Sequence, residues 1–430
     1  MLNFLEISIL CFPLVFVLLS LAIFPLLAPN FWHKKEILLF GTVSCISVFS
    51  SFFMLDDAGK ILSHALVSDY VPFIIMLFTL FLLSHGIHIK LKSSSSTMAN
   101  VIFLGICSVF ASIIGTTGAS MLFLRPFLEM NKTREKKGHL VIFFIFLVSN
   151  IGGLLSPLGD PPLLLGYLHG VEFSWCFKNL FFAWVCYVSI CLIIMSIIDK
   201  LIVRKEQINS ATFYQKFSLT IGGYLNIFLI FATVLVLFIN INSICIFNLL
   251  IPGICIKNII LIVFCAISYM NSKKINNEKV DFSPFLEVAR TFFVIFIVIA
   301  PVLFILEENS ELIKKYINTA SENPSGIYFW LCGAASSVLD NAPSYLLFFN
   351  MAGGSANELM NIYPSILKAI AISTVVMGSI TYIGNAPNMM VRHIAEKRGI
   401  KMPSFIGYMK WSCLIILPIS IIMTFVLGSN

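Results

Sequence analysis

The sequence predicts an all-α polytopic membrane protein made of two inverted-topology repeats, and three observations predict this fold class. The chain has 430 residues, of which 58% are hydrophobic and only 11% are charged, whereas a soluble domain has roughly 25% charged residues. Apolar runs of about 20 residues, each long enough to cross a membrane core, recur along the chain. A polar stretch that breaks one of these runs occurs twice, so that Gly384 lies 225 residues after Gly159.

The first polar stretch, residues 149–162, interrupts a membrane-length apolar run. Its paired glycines, Gly152 and Gly153, and its three prolines cannot continue an α-helix, and they leave backbone groups that need protein, water or an ion as partner. The stretch also contains a carboxylate, Asp160, which costs about 2.5–3.5 kcal/mol to insert at bilayer depth unless something compensates it. The sequence therefore marks Asp160 as a candidate functional residue.

The second polar stretch, residues 378–388, aligns with the first at the offset of 225, because Gly378 corresponds to Gly153. A neighbouring pair of segments, 112–123 and 337–348, aligns at the same offset. Two matches at one offset predict a two-fold internal repeat. The predicted repeats are residues 1–216 and 217–430.

Each repeat is predicted to contain a re-entrant hairpin and a broken transmembrane helix. The first hairpin enters and leaves on one side of the membrane, because basic clusters flank both of its ends, and irregular backbone at its tip is tolerated at depth only inside protein. The predicted elements of the first repeat are crossings at about 7–28, 37–54 and 70–89, a hairpin at 98–130, a broken helix at 140–168 and a crossing at about 176–198. Those of the second repeat are crossings at about 219–239, at about 240–271 and at about 285–306, a hairpin at 326–350, a broken helix at 364–394 and a crossing at about 406–427.

The distribution of lysine and arginine predicts the orientation. Basic residues concentrate in alternate loops, which the positive-inside rule places in the cytoplasm. This assignment leaves Asp56 and both termini outside, and an odd number of crossings between the repeats makes them inverted. The predicted location is the inner (plasma) membrane of a bacterium.

Two acidic residues, Asp160 and Asp340, lie inside helix breaks, and buried carboxylates of this kind bind a proton or a metal cation. Hard cations such as sodium prefer oxygen ligands. Neutral oxygen donors close to the two acids in the sequence complete the candidate ion site: Thr116, Thr117, Asn150, Ser156, Asn341 and Asn385. The alternative for both acids is a structural role in an internal pair.

The motifs resemble those of a known family. Residues 149–160 are similar to the Asn-x-Gly-Gly-x-x-Ser-Pro-x-Gly-Asp motif of NhaD-type sodium/proton antiporters, and residues 336–343 resemble the Asp-Asn hairpin of that family. These antiporters belong to the ion transporter superfamily, together with citrate and dicarboxylate transporters. The resemblance implies two inverted repeats with hairpins and broken helices. By motif, it implies ion-site roles for Asp160, Asp340 and Asn341.

Two functions remain open at this point. The resemblance favours exchange of sodium or lithium for protons by alternating access. The breaks Gly-Asp-Pro-Pro and Gly-Asn-Ala-Pro-Asn also resemble the Gly-Thr-Pro-Pro-Asn break of dicarboxylate and citrate carriers, which favours a sodium- or proton-coupled citrate or dicarboxylate symporter.

A membrane enzyme and a passive channel fit less well, because no nucleophile and base arrangement appears and duplicated breaks suit alternating access. The expected partners are the lipid bilayer and the transported sodium, protons or organic anion. The sequence is also compatible with a homodimer, and no nucleic-acid partner is expected. No cofactor is expected.

Overall fold

A computed structural model describes residues 3–92, 95–205, 218–239, 244–246, 249–251, 253–276, 282–320 and 323–428. The boundary predicted between the repeats, at residues 216 and 217, lies outside the described residues. The described chain is mostly helical, as the recurring apolar runs predict.

In the first half of the chain, the described residues form nine α-helices. They are α1 (Phe4–Leu27), α2 (Pro29–Met54), α3 (Ala58–Ser63), α4 (Val71–His85), α5 (Thr97–Ile114), α6 (Thr116–Met130), α7 (Gly138–Leu147), α8 (Pro161–Leu168) and α9 (Trp175–Lys205). A π-helical turn, His64–Tyr70, joins α3 to α4, so these elements form one continuous rod. A 3-10 turn, Ile151–Leu155, follows α7.

Within the described ranges of the second half, ten more α-helices follow. They are α10 (Tyr224–Phe238), α11 (Gly253–Asn276), α12 (Ser283–Glu308), α13 (Ser310–Ala320), α14 (Pro324–Val338), α15 (Asn341–Met351), α16 (Ala356–Asn361), α17 (Pro364–Met377), α18 (Ala386–Lys397) and α19 (Phe405–Gly428).

Four short strands form two antiparallel ribbons that no pattern in the sequence indicated. Strand β1 (His88–Lys92) pairs with β2 (Ser218–Gly222), and β3 (Ile244–Ile246) pairs with β4 (Leu249–Ile251). The first ribbon joins the end of α4 to the start of α10. It therefore holds the loops at residues 88–92 and 218–222 on the same face of the molecule.

Nine helices among the described residues are long and apolar enough to cross a membrane. The protein is thus an all-α integral membrane protein, as predicted. The re-entrant paths of the two hairpins and the inverted orientation of the two halves remain predictions.

The two broken helices lie at the centre of the fold. The span from Gly138 to Leu155 is 89% buried, whereas the span of α1 is 33% buried. In α17, every residue from Ala369 to Val376 is fully buried. Because these segments contact protein on all sides, their broken ends find partners within the protein rather than in lipid.

Candidate functional site

The two helix breaks fold in the same way. In each, a glycine lies against the carbonyl of a glycine six residues earlier: a Cβ on Gly159 would lie 2.0 Å from the Gly153 oxygen, and one on Gly384 would lie 2.6 Å from the Gly378 oxygen. A side chain at either position would overlap the backbone. The close approach explains why both breaks have glycines at this spacing.

Hydroxyl groups fix each break to the neighbouring hairpin. Ser156 donates a hydrogen bond to the Ser112 carbonyl, and Thr381 donates one to the Ser337 carbonyl at 2.6 Å. The same hydroxyls accept backbone N–H groups within their own breaks. Ser156, which the sequence suggests as an ion ligand, thus makes these hydrogen bonds to backbone groups.

Asp160 is the centre of the polar cluster, and its side chain is buried at 1% exposure. One carboxylate oxygen accepts the Thr116 hydroxyl at 2.7 Å and the Asn385 amide at 3.3 Å. The other accepts the Asn341 amide at 2.8 Å. All three donors are neutral, and two of them come from the second half of the chain.

Asparagine side chains extend the cluster away from Asp160. The Asn385 amide also donates to the Asn150 side-chain oxygen at 3.1 Å, and the Asn150 amide donates to Asn388 at 2.7 Å. The Asn388 amide donates to two carbonyls of the second break, those of Gly378 and Thr381. This chain of amides connects the two breaks through side chains that are all almost fully buried.

Asp340 lies at the edge of the cluster. It is the N-cap of α15, and its carboxylate accepts the backbone N–H of Asn341 at 2.8 Å. Its neighbour Asn341 contacts Asp160, so the two acids belong to one cluster, although no hydrogen bond joins them. Asp340 is half-buried, whereas Asp160 is enclosed.

The structure thus brings together five of the eight residues suggested by the sequence in one hydrogen-bonded network: Thr116, Asn150, Asp160, Asn341 and Asn385. Asp340 adjoins this network. Thr117 is half-buried, and no hydrogen bond links its hydroxyl to Asp160 in the described part of the chain. Asn388 was missed by sequence reasoning. The signal for it was present, because Asn388 is a polar residue one position after the Pro387 that resumes the second broken helix.

Four half-helices begin at the cluster: α6 at Thr116, α8 at Pro161, α15 at Asn341 and α18 at Ala386. The prolines in the first turns of α8, α15 and α18 favour these starting points, since the first N–H groups of a helix have no partner within it. Helix N-termini carry a partial positive charge and helix C-termini a partial negative one. Since α5, α14 and α17 end next to the same cluster, it can stabilise groups of either charge.

The donor set consists of oxygens, which hard cations prefer. Asp160 supplies a carboxylate and Thr116 a hydroxyl. Asn341 and Asn385 present their N–H groups to Asp160, but each amide also has an oxygen that can become a ligand when the amide turns. In the described part of the chain, no group of three or more His, Cys, Asp or Glu side chains is arranged to hold a metal ion.

Comparison with known proteins assigns the family. No curated protein shows significant similarity to the chain. The family model CitMHS_2, described as "Putative citrate transport", matches residues 5–427. Since the match covers nearly the whole chain, and the fold is that of an integral membrane protein, the protein belongs to the CitMHS_2 family.

Proposed function

We propose that this membrane transporter exchanges sodium, or lithium, for protons, and that the cluster around Asp160 binds the two species in turn. The burial of Asp160 without a basic partner supports this proposal. Its carboxylate is buried, and among the described residues no Lys, Arg or His nitrogen lies within 4.0 Å of it. Three neutral hydrogen bonds reduce the cost of the buried charge but do not neutralise it.

A buried carboxylate without a basic partner has two ways to balance its charge. It can take up a proton, or it can bind a metal cation, and it cannot do both at one oxygen. Competition of this kind couples two ion fluxes without ATP. Asp340, at the edge of the same cluster, is the second acid that we propose to take part.

The cluster also joins the two halves of the chain. Asn341 and Asn385 from the second half donate to Asp160 of the first half. A cation bound to Asp160 would replace the hydrogen bonds from Asn341 and Asn385, and so would change the contacts between the two halves. This supports a cycle in which binding is coupled to alternating access.

Family membership favours a second candidate, a sodium- or proton-coupled symporter of citrate or a dicarboxylate. Four half-helix N-termini at the cluster would favour an anionic substrate. In this case the Asp160 cluster would bind the coupling cation, because the carboxylate needs neutralisation before a polyanion can approach it.

Transport by proteoliposomes of purified protein tests both candidates. A pH-sensitive dye would report proton movement driven by sodium, lithium or potassium, and labelled citrate and succinate would report anion uptake. We expect sodium-driven proton release that Asp160→Asn abolishes and Asp340→Asn strongly reduces. Asp56→Asn is the matched control, because Asp56 is an exposed loop carboxylate.

The transport measurements distinguish the two candidate functions and test the role of Asp160. Sodium-dependent citrate uptake without cation/proton exchange would support the symporter and overturn the antiporter. Unchanged exchange in Asp160→Asn would overturn the role of the cluster even if sodium proved to be a substrate.

A further inference from the structure

A second group of ionisable side chains lies at the far end of α8. Asp69, in the π-helical turn between α3 and α4, is buried between two histidines. Nδ1 of His64 lies 3.5 Å from one carboxylate oxygen, and Nε2 of His169 lies 4.0 Å from the other. His169 follows α8 directly and also lies against the Phe349 ring of α15.

The hydrogen bonding of His169 restricts where its protons are. Its Nδ1 lies 2.9 Å from the Leu165 carbonyl oxygen, which can only accept a hydrogen bond, so Nδ1 carries a hydrogen. A neutral imidazole has one N–H group. Nε2, which faces the Asp69 carboxylate, therefore carries a hydrogen only when the ring holds a second proton.

We propose that Asp69, His169 and His64 form a second proton-binding site, which takes up one proton between the His169 ring and the Asp69 carboxylate. With this proton, an imidazolium N–H faces a carboxylate and the two attract each other. Without it, two hydrogen-bond acceptors face each other. The proton therefore decides whether the end of α8 is held against the π-helical turn.

Among the described residues, the basic side chains within 4.0 Å of the Asp69 carboxylate are those of His64 and His169. Asp69 interacts electrostatically with His169 and His64. The helices that contact the π-helical turn are α3, α4 and α12. Of their charged residues, Lys60 on α3 pairs with Asp57, and Arg290 on α12 donates to the Leu286 carbonyl. Lys257 on α11 contacts Tyr167, on another side of α8, and neither Glu172 nor Arg290 makes an ion pair with Asp69, His64 or His169.

The position of this site connects it to the proposed ion site. Helix α8 begins next to Asp160 and ends before His169, a length of about 12 Å at 1.5 Å per residue. π-helical turns occur frequently at functional positions. A proton at one end of α8 therefore acts on the half-helix whose other end contributes to the Asp160 cluster. By the charge rule, this end faces the outside.

The direct test is ¹⁵N NMR of the full chain in nanodiscs with labelled histidine, in which His169→Gln assigns the signal among the seven histidines. At about pH 6.5, where a free histidine is about half protonated, we expect a larger imidazolium fraction for His169 in the native protein than in Asp69→Asn. An imidazolium fraction of His169 that is the same in both proteins would overturn the proposal.

The second readout rests on the proposed function, since it needs measurable transport. We expect His169→Gln and Asp69→Asn each to lower the apparent affinity of transport for external protons about tenfold, a shift of about one pH unit. The double variant should shift no further. His393→Gln, an exposed histidine on α18, is the control and should leave the profile unchanged.

The proposal would be contradicted if His169→Gln, Asp69→Asn and the double variant all kept the native pH dependence of transport. If transport were absent altogether, the proposed function would fail, while the NMR comparison would still decide the proton site.

Discussion

At the scale of single residues, the charges of the buried carboxylates Asp199 and Asp160 are balanced differently. Asp199 on α9 is fully buried and has a complete set of partners: His139 at 3.0 Å, Arg134 at 3.4 Å and the Thr97 hydroxyl at 2.6 Å. Asp160 is equally buried but has only neutral donors. The basic partners of Asp199 neutralise a permanent structural charge. The neutral donors of Asp160 do not neutralise its charge, so a cation or a proton can bind there and leave again.

Two adjacent threonines give a sharp test of the Asp160 cluster. Thr116→Val removes a hydroxyl that donates to Asp160 at 2.7 Å, without changing the volume of the side chain. We expect the KM for sodium to rise at least about tenfold, because removing a hydrogen bond to a buried charge costs roughly 1.5–3 kcal/mol.

Thr117→Val is the matched control for this substitution and should change the KM less than about twofold, since the Thr117 hydroxyl does not contact Asp160. Thr116→Ser keeps the hydroxyl and should behave like the native protein. Equal effects of Thr116→Val and Thr117→Val would contradict the assignment.

At the scale of elements, glycines allow the second break to approach its hairpin. A Cβ at Gly378 would lie 1.9 Å from the Asn341 side-chain oxygen, so Gly378→Ala must displace the side chain that donates to Asp160. We expect transport to fall at least tenfold while the protein still inserts and purifies, and transport assays with size-exclusion chromatography would measure both.

Gly41→Ala on α2 is the control for this change, because a Cβ there meets nothing within 4 Å. If Gly378→Ala transported at the native rate, the close packing of the break against Asn341 would not matter for function.

The ion group at Asp199 fixes the first hairpin to α9. Thr97 begins the hairpin, whereas Arg134 and His139 follow it, and all three contact the same carboxylate. Asp199→Asn removes the buried carboxylate that Arg134 and His139 contact, so we expect a loss of about 3–5 kcal/mol of stability, measured by thermal unfolding in detergent.

Replacing both charges, in Arg134→Met with Asp199→Leu, should be less destabilising than Asp199→Asn, since a buried pair can be exchanged for apolar groups at little cost. A double variant less stable than the single one would show that the tether depends on other contacts of Arg134.

At the scale of the whole molecule, the sequence predicted the elements better than the contacts between them. Glycine and proline act locally, so the breaks before Pro161 and Pro387 could be located from the chain alone. The Asn150–Asn388 hydrogen bond joins residues 238 apart, and no local pattern indicates such a pair. For the same reason, the Asp199 group appeared in the sequence only as isolated polar residues.

The orientation in the membrane gives the last prediction. The ribbon between β1 and β2 holds residues 88–92 and 218–222 on one face, and the charge rule places that face in the cytoplasm. In a variant without the eleven native cysteines, Lys136→Cys should react with a membrane-impermeant maleimide only from the inside. Asp56→Cys and Glu311→Cys should react only from the outside.

Tags at either terminus should likewise be accessible from the outside. Labelling of Lys136→Cys and Asp56→Cys from the same side would contradict the predicted crossing of α4 and its preceding π-helical turn. Labelling of Asp56→Cys and Glu311→Cys from opposite sides would instead place the error between them. The crossing formed by α11 would then be the one to revise, because the chain on both sides of α10 and α11 includes residues outside the described ranges.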